Sequence, residues 1–379
     1  MDLDLTEAQR RLAEQARAVA LGEIGPEASE VDRQQRFPQK AIAALAGHGM
    51  LGVCVPKEWA GAGLDTIACA LVIEEVASAC ASTAAIACVQ NLLVCEPILR
   101  FGSETQKRQW LPVLASGAKL GCFAFTEADG GSGLSGVATL AQREGDGFVL
   151  QGQKSFVTCA PVAELALVVA ASSPGAKNGL SAFLVPTATA GVSLGPPHAK
   201  LGLRGAVSCS LALDGVRLPA HALLGSEGTG GDVLRFALDA GRIGAAALSV
   251  GVARAAFTAA TRYALERRTN GAAISDHQAI QFKLAEMSTQ IDAARLLTWR
   301  AAAARDAGGG ASTYASMAKL VASEAASRAA SDAVQILGGN GCLCDYPVER
   351  CFRDAKVTEI YEGTSEIQRL GIASALLKE

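Results

Sequence analysis

At 379 residues the chain is long enough for two or three domains around a large core, and a net charge of −3 gives no electrostatic reason to expect nucleic acid or an anionic membrane surface as a partner. Half the residues are hydrophobic but only 5% aromatic, so helices are expected to pack through small side chains. The eleven cysteines include no Cys-x-x-Cys and the four histidines stand at no zinc spacing, which leaves no legible metal site and suits free thiols in a reducing compartment.

Residues 1–118 read as an N-terminal helical domain. Asp2 and Asp4 precede the first apolar stretch, which itself carries arginines, so no signal peptide is expected and a cytoplasmic location is the simplest account. A Thr6-x-x-Gln9 capping box opens a helix with apolar residues at Ala8, Leu12, Ala16 and Val19. Breaks are expected at Gly25-Pro26, at Pro38, around Pro56 to Gly63 and at Gly102. The stretch from Val76 to Cys95 carries no charge over a bilayer-spanning length, but Ser78, Ser82, Thr83, Gln90 and Asn91 would be costly in lipid. Ser82 is expected to cap a helix that divides the run, and no membrane span is expected.

From 119 to 225 the texture changes to short β-like runs between glycines and prolines, as in a compact β barrel or sandwich. These runs are Phe148 to Leu150, Leu165 to Ala171, Ser181 to Val185 and Leu211 to Leu213. Residues 226–379 return to a helical pattern. Ser275-x-x-Gln278 is expected to cap a helix whose Ile280, Leu284, Met287 and Ile291 face a neighbour in a four-helix bundle, with Gly308 to Gly310 ending it. The fold class is therefore α+β, mainly α.

Several stretches have chemical potential but stay ambiguous alone. Phe125-Thr126-Glu127 with Gly130-Gly131-Ser132 is either a hairpin with a glycine-rich bend or a loop whose N–H groups and hydroxyls meet a phosphate or a flavin edge. Alternation along Gly152 to Thr158 places Phe156 and Thr158 on one face, as core packing or as a cofactor cover. Arg267 in Glu266-Arg267-Arg268-Thr269-Asn270-Gly271 either ends a helix or clamps a phosphate. Near the end, Ile360-Tyr361-Glu362-Gly363-Thr364 sets a carboxylate beside a glycine and a hydroxyl. Taken alone it better suits a helix-breaking turn with Glu362 solvated and Thr364 as N-cap than a base that reaches a substrate past an absent side chain.

The ordered set Gln335-Ile336-Leu337-Gly338-Gly339-Asn340-Gly341, Tyr346-Pro347-Val348-Glu349-Arg350, Arg353-Asp354-Ala355-Lys356 and Ile360 to Arg369 resembles the C-terminal motifs of the acyl-CoA dehydrogenase family. Val55 to Asp65 resembles a further family loop, with Ala60 where a glycine is usual, and Phe101 to Lys107 is another match. The resemblance implies FAD as cofactor. Phe125 and Thr126 would face the isoalloxazine, Ser132 the pyrophosphate and the substrate, and Phe156 and Thr158 the flavin near N5. Arg267, Thr269, Gln335, Gly338 and Gly339 would reach the FAD of a neighbouring subunit, and Thr364 and Glu366 would join the cofactor site.

It also implies α,β-dehydrogenation of an acyl-CoA with Glu362 as α-proton base. The backbone N–H of Glu362 and an FAD hydroxyl would polarise the thioester carbonyl, with Asp239, Arg242 and Gly363 at the substrate. Gly241 stands where another branch places its base. An electron-transferring flavoprotein would reoxidise the cofactor, in a homotetramer built as a dimer of dimers and serving fatty acid metabolism. Gly133, Cys159 and Asn270 depart from the family pattern. The alternatives are a relative acting on a carrier-bound or non-CoA substrate, and a cofactor-less helical scaffold. Gln90, Asn91 and Glu96, read as polar groups beside the acyl pocket, favour a short, medium, branched or alicyclic acyl group.

Overall fold

The computed structural model describes residues 4–131, 137–173, 179–308 and 311–377. Helices α1 (Glu7–Val19), α2 (Gly25–Gln34), α3 (Gln39–Gly47), α4 (Thr66–Ala79), α5 (Ala81–Cys88), α6 (Glu96–Phe101) and α7 (Glu104–Ala115) form the first layer. The Thr6–Gln9 capping box is formed in both directions, and Ser103 with Gln106 makes a second one at α7. Gly25-Pro26 does not break the chain. A π-helical turn, Ala20–Ile24, carries α1 into α2 and absorbs the proline in the first turn of α2, where no N–H is needed.

The uncharged run divides at Cys80, whose extended backbone is the N-cap of α5, and not at Ser82. Ser82 lies inside α5 and its hydroxyl accepts from Gly205 N–H at 3.1 Å, a tertiary bond in place of the expected cap. Two stretches, Ala81–Phe101 and Gly230–Glu266, are long and apolar enough to cross a membrane, yet 94% and 72% of their apolar windows are buried within the protein.

The middle layer is an eight-stranded sheet made of β1 (Gly121–Ala124), β2 (Leu140–Glu144), β3 (Gly147–Thr158), β4 (Leu165–Ala171), β5 (Leu180–Pro186), β6 (Val192–Leu194), β7 (Ser208–Leu218) and β8 (Leu223–Leu224). Strand order is β6-β7-β3-β2-β4-β5-β8, with β1 parallel to β4. The apolar run of β4 is buried throughout because both faces are covered. Its Ala166, Val168 and Ala170 join one core with Phe148 and Phe183, whose rings meet edge-on at 5.0 Å. Leu165, Leu167 and Val169 join a second core with Leu93, Ile98, Trp110 and Leu234 of the helices.

The third layer contains α8 (Gly230–Glu266), a small hairpin of β9 (Arg268–Thr269) and β10 (Ala272–Ala273), α9 (Gln278–Asp306), α10 (Ala311–Leu337), α11 (Pro347–Thr358) and α12 (Ser365–Leu376). His277, not Ser275, is the N-cap residue of α9. Ser275 sits in a preceding 3₁₀ turn, where its carbonyl accepts from Gln281. The hairpin turn is Asn270-Gly271, both at positive φ, so the residue that departs from the family pattern is the one a two-residue turn favours.

Helix α8 packs without much side-chain bulk. A Cβ on Gly244 would lie 2.3 Å from Cys88 Sγ, and one on Gly251 would lie 2.4 Å from Glu74 O. Charge reinforces this contact: Arg254 pairs with Glu74 at 3.1 Å and Glu75 at 2.6 Å, and Arg295 of α9 pairs with Glu74 at 3.0 Å. Arg254→Met leaves two buried carboxylates short of a partner and is expected to lower stability by about 3 kcal/mol, read from the urea midpoint. A change below about 1 kcal/mol, the size of an exposed pair, would show that water replaces the guanidinium.

Candidate active site

The segment that carries Glu362 is fixed to every layer of the fold. In α11, Arg353 pairs with Asp32 of α2 at 2.6 Å, and Asp354 accepts from Leu203 N–H of the middle domain at 2.6 Å. The chain then leaves α11 and turns through Glu362 (φ 55) and Gly363 (φ 90) before Thr364 caps α12 by accepting from Ile367 N–H. The left-handed turn is easy for Gly363 but costs a non-glycine residue on the order of 1 kcal/mol or more at Glu362, and such strain is kept where the surroundings over-determine it. Gln368 supplies part of that restraint, donating to Glu362 O at 3.0 Å and Gly363 O at 2.9 Å. Thr364 is thus an N-cap, while Glu362 is not solvated as an ordinary turn residue would be.

Glu362 turns its carboxylate against α8. A Cβ on Gly241 would lie 2.4 Å from Glu362 Oε2 and 2.9 Å from Leu93 Cδ2, so the missing side chain at Gly241 is the space the carboxylate uses. Oε2 is shut off from solvent and makes no hydrogen bond. Burial raises the Glu362 pKa to about 7, against the pull of the Arg242 and Lys319 cations. Arg242 Nε, Tyr361 Oη, Ser365 Oγ and Gln368 Oε1 are also buried without partners, so unmet polar atoms gather on this one turn and the α8 residue beside it. Native interiors seldom leave such groups unpaired, and a cluster of them marks a place where a ligand belongs.

Asp239 is not a surface residue. Its buried carboxylate pairs with Arg242 Nη1 at 3.0 Å and accepts from Ser312 Oγ, which orients Arg242 one turn along α8 from it. Gln90, Asn91 and Glu96 do not face an acyl pocket either. Gln90 bridges Leu114 O, Lys119 O and Gly121 N, Asn91 bridges Met50 O, Ala87 O and Val53 N, and Glu96 pairs with Arg305. Each is consumed by neighbouring elements, so their polarity does not bound the size of a substrate.

In the middle domain Phe125 is buried and Thr126 half-buried at the end of β1, where Thr126 O accepts from Ser155 N–H at 2.8 Å. A buried ion pair sets this loop: Lys154 Nζ lies 2.5 Å from Glu127 Oε1 and donates to Phe125 O at 3.1 Å, and Glu127 also accepts from Ala138 and Thr139 N–H. Both residues stand within quoted motifs, yet nothing in their local spacing announces the pair. Ser132 lies outside the described residues, as does Gly133.

Strict alternation fails between Lys154 and Val157, where β3 carries a bulge against β7. Lys154 is fully buried, whereas Phe156, at positive φ, is 69% exposed with its ring on His198 at 5.3 Å; Thr158 is half-buried. Arg267, Thr269 and Gln335 are exposed, and Gly338 and Gly339 have no atom within 4 Å of an added Cβ. Arg267 N–H donates to Tyr263 O and Asn340 Nδ2 to Tyr263 Oη, so this group gathers at one end of α8 and α10. Among the described residues no hydrogen bond or ion pair joins it to Phe125, Thr126, Phe156 or Thr158. Glu366 is exposed in the first turn of α12, where its own backbone N–H at the helix N-terminus and then the Thr364 hydroxyl hold its carboxyl below the ordinary value.

Residues 6–118, 122–216 and 228–377 match the acyl-CoA dehydrogenase N-terminal, middle and C-terminal domains, respectively. The human mitochondrial short-chain specific acyl-CoA dehydrogenase is 44% identical over 377 residues, which cover 99% of this chain and 92% of the human one. Butyryl-CoA dehydrogenase from Megasphaera elsdenii shares the fold at TM-score 0.97 and 36% identity, covering 100% of both chains. A glutaryl-CoA dehydrogenase from Mycobacterium smegmatis in complex with FADH2 does so at TM-score 0.93 and 31% identity, covering 99% of this chain and 96% of the other. With every layer of its fold matched in order, the chain belongs to the acyl-CoA dehydrogenase family and is an FAD-dependent acyl-CoA dehydrogenase.

Proposed function

We propose that the enzyme dehydrogenates short-chain acyl-CoA thioesters at the α,β-bond, with Glu362 as the α-proton base. The observation that carries this reading is the Glu362 carboxylate: its Oε2 closed off from solvent and unpaired, its pKa raised to about 7, and its place made by the absent side chain of Gly241.

The surface fits FAD on two observations. Phe156 is a large aromatic held outward by a strained backbone at the bulge of β3, and Gly338-Gly339 offers open backbone beside the exposed Arg267. Phe125, Thr126, Phe156 and Thr158 would hold the flavin ring, with Ser132 at the pyrophosphate. Arg267, Thr269, Gln335, Gly338 and Gly339 would hold the distal part from a second subunit, which is the reason to expect a homotetramer, and Thr364 and Glu366 would close the site. FAD, when bound, supplies the hydride acceptor for the β-hydrogen. Glu362 takes the α-proton at Oε2, and its backbone N–H would polarise the thioester carbonyl. Arg242, steadied by Asp239 and Ser312, keeps a positive charge beside the base. An electron-transferring flavoprotein is the expected electron acceptor.

The chain-length preference rests on α8. One turn beyond Gly241, the corresponding space at Gly244 is filled by Cys88 Sγ and Leu92 Cδ1, at 2.3 and 2.8 Å from an added Cβ. With Glu362 and Leu93 against Gly241 and Cys88 and Leu92 against Gly244, this face of α8 is closely packed beside the base, which favours a short acyl chain. Anaerobic bleaching of the flavin by butyryl-, hexanoyl-, isobutyryl-, cyclohexanecarboxyl- and palmitoyl-CoA tests this, with butyryl-CoA expected to react fastest. A best rate with palmitoyl-CoA would show that Cys88 and Leu92 do not bound the acyl chain.

A further inference from the structure

One buried charge at this site is left over once the base, Arg242 and Asp239 have been placed. Lys319 lies in the first half of α10, fully buried, as are Ala315, Ser316, Ala318, Ala322 and Ser323 of the same helix. Its Nζ donates to Gly363 O at 2.7 Å, the carbonyl that Gln368 also holds. Among the described residues Lys319 makes no ion pair, whereas Arg242 is paired to Asp239.

We propose that Lys319 is a positioning residue for the base, its ammonium clamping the Gly363 carbonyl to fix the left-handed Glu362–Gly363 turn while contributing the positive charge at the site that no ion pair neutralises. The proposal rests on Glu362 being the base.

A clamp alone does not call for a lysine. Gln368 already bonds the carbonyls of Glu362 and Gly363 with a neutral amide, and a second neutral donor would do so without the cost of burying an ammonium. What only lysine or arginine adds is charge. The groups that face it are Arg242 from α8, Glu359 and Glu362 from the segment between α11 and α12, and Glu366 from the first turn of α12, while Cys88 of α5 and Tyr361 lie on the Glu362 side. Burial lowers the Lys319 pKa to about 8, so it stays charged while Glu362 ionises near 7. A cation beside a carboxyl favours the ionised form, so removing it delays ionisation to higher pH.

The test compares Lys319→Gln, which keeps a donor without the charge, with Lys319→Met, which keeps neither, both as FAD-loaded enzyme. The readout is α-hydrogen exchange of (methylthio)acetyl-CoA in D2O, followed by NMR. This thioester has acidic α-hydrogens and a sulfur in place of the β-carbon, so no hydride can leave and exchange reports the base alone. In both variants the pH at which exchange sets in is expected to move up by about one unit, the low end for loss of a nearby opposite charge. Above that pH Lys319→Gln should recover the wild-type plateau, and Lys319→Met should fall short of it because the turn has loosened. Equal loss at every pH, with an unmoved midpoint in both variants, would reduce Lys319 to packing and overturn the proposal. The parent reading has its own arm: if Glu362→Gln exchanges at the wild-type rate, Glu362 is not the base, whatever the lysine variants do.

Discussion

Glu362→Gln is expected to retain bound FAD and to lose roughly 10⁴-fold or more in the anaerobic rate of flavin reduction by butyryl-CoA, at or above the upper end of what one acid–base group contributes. The amide keeps the shape of the carboxylate but has no basicity at neutral pH. In the unchanged enzyme the rate should climb as pH rises through about 7, because the proton must leave Glu362 before it can accept another. The same substitution should make the protein more stable at neutral pH. Burial lifts the folded-state pKa from the ordinary 4.5 to about 7, so between those values the folded form binds more protons than the unfolded one. Stability attached to this group is therefore lost as pH rises from about 4.5 to about 7, and an uncharged side chain does not incur that loss. Urea midpoints at pH 7.5 would show it, and a midpoint that falls in Glu362→Gln would mean the carboxylate has a partner that binds it well.

The order helical, β, helical was legible because each signal is local. The Thr6–Gln9 box, the all-apolar β4 and the Ile280-Leu284-Met287-Ile291 spacing depend on near neighbours in the chain. The long ordered match around Glu362 singles it out in the sequence, but the surroundings that suit it to the proposed role of base are not visible there. The room at Gly241, the cations of Arg242 and Lys319 and the hold of Gln368 come from three different helices. Lys319 sits in an alanine-rich stretch with no motif, so only burial singles it out.

The misreadings have the same origin. Ser82 and Ser275 carry the right chemistry for caps, but Ser82 is taken by Gly205 and the chain turns after Ser275. Gln90 and Asn91 look like polar groups awaiting a ligand until the carbonyls of Met50, Leu114 and Lys119 are found beside them. The bulge that holds Phe156 outward was not foreseen, since alternation carries no sign of one extra residue. Asn270-Gly271 is the opposite case: the dipeptide is a strong local hairpin signal, and the departure of Asn270 from the family pattern is the turn itself.

Two glycines of α8 should respond to the same small change in opposite ways. Replacing a helix-interior glycine by alanine ordinarily stabilises by about 0.5–1 kcal/mol, through backbone entropy. At Gly241 the new methyl meets the end of a side chain, Glu362 Oε2 at 2.4 Å, which can swing aside. Gly241→Ala should therefore fold as well as the parent while kcat for butyryl-CoA drops about 10²-fold, the cost of displacing a reacting group by around an ångström. At Gly251 the methyl meets main chain and a core alanine, with Glu74 O at 2.4 Å, Ala77 Cβ at 2.6 Å and Ser78 N at 3.1 Å. None of these can rotate away, so α4 and α8 must part. The gain from alanine is then outweighed by overpacking of about 1–3 kcal/mol, and the separation also stretches the Arg254 pairs beside it. Gly251→Ala should lower the urea midpoint and leave kcat of the folded enzyme near the parent value. Full activity in Gly241→Ala would show that the carboxylate does not need the space at that glycine, and the geometric case for Glu362 would lose its main support.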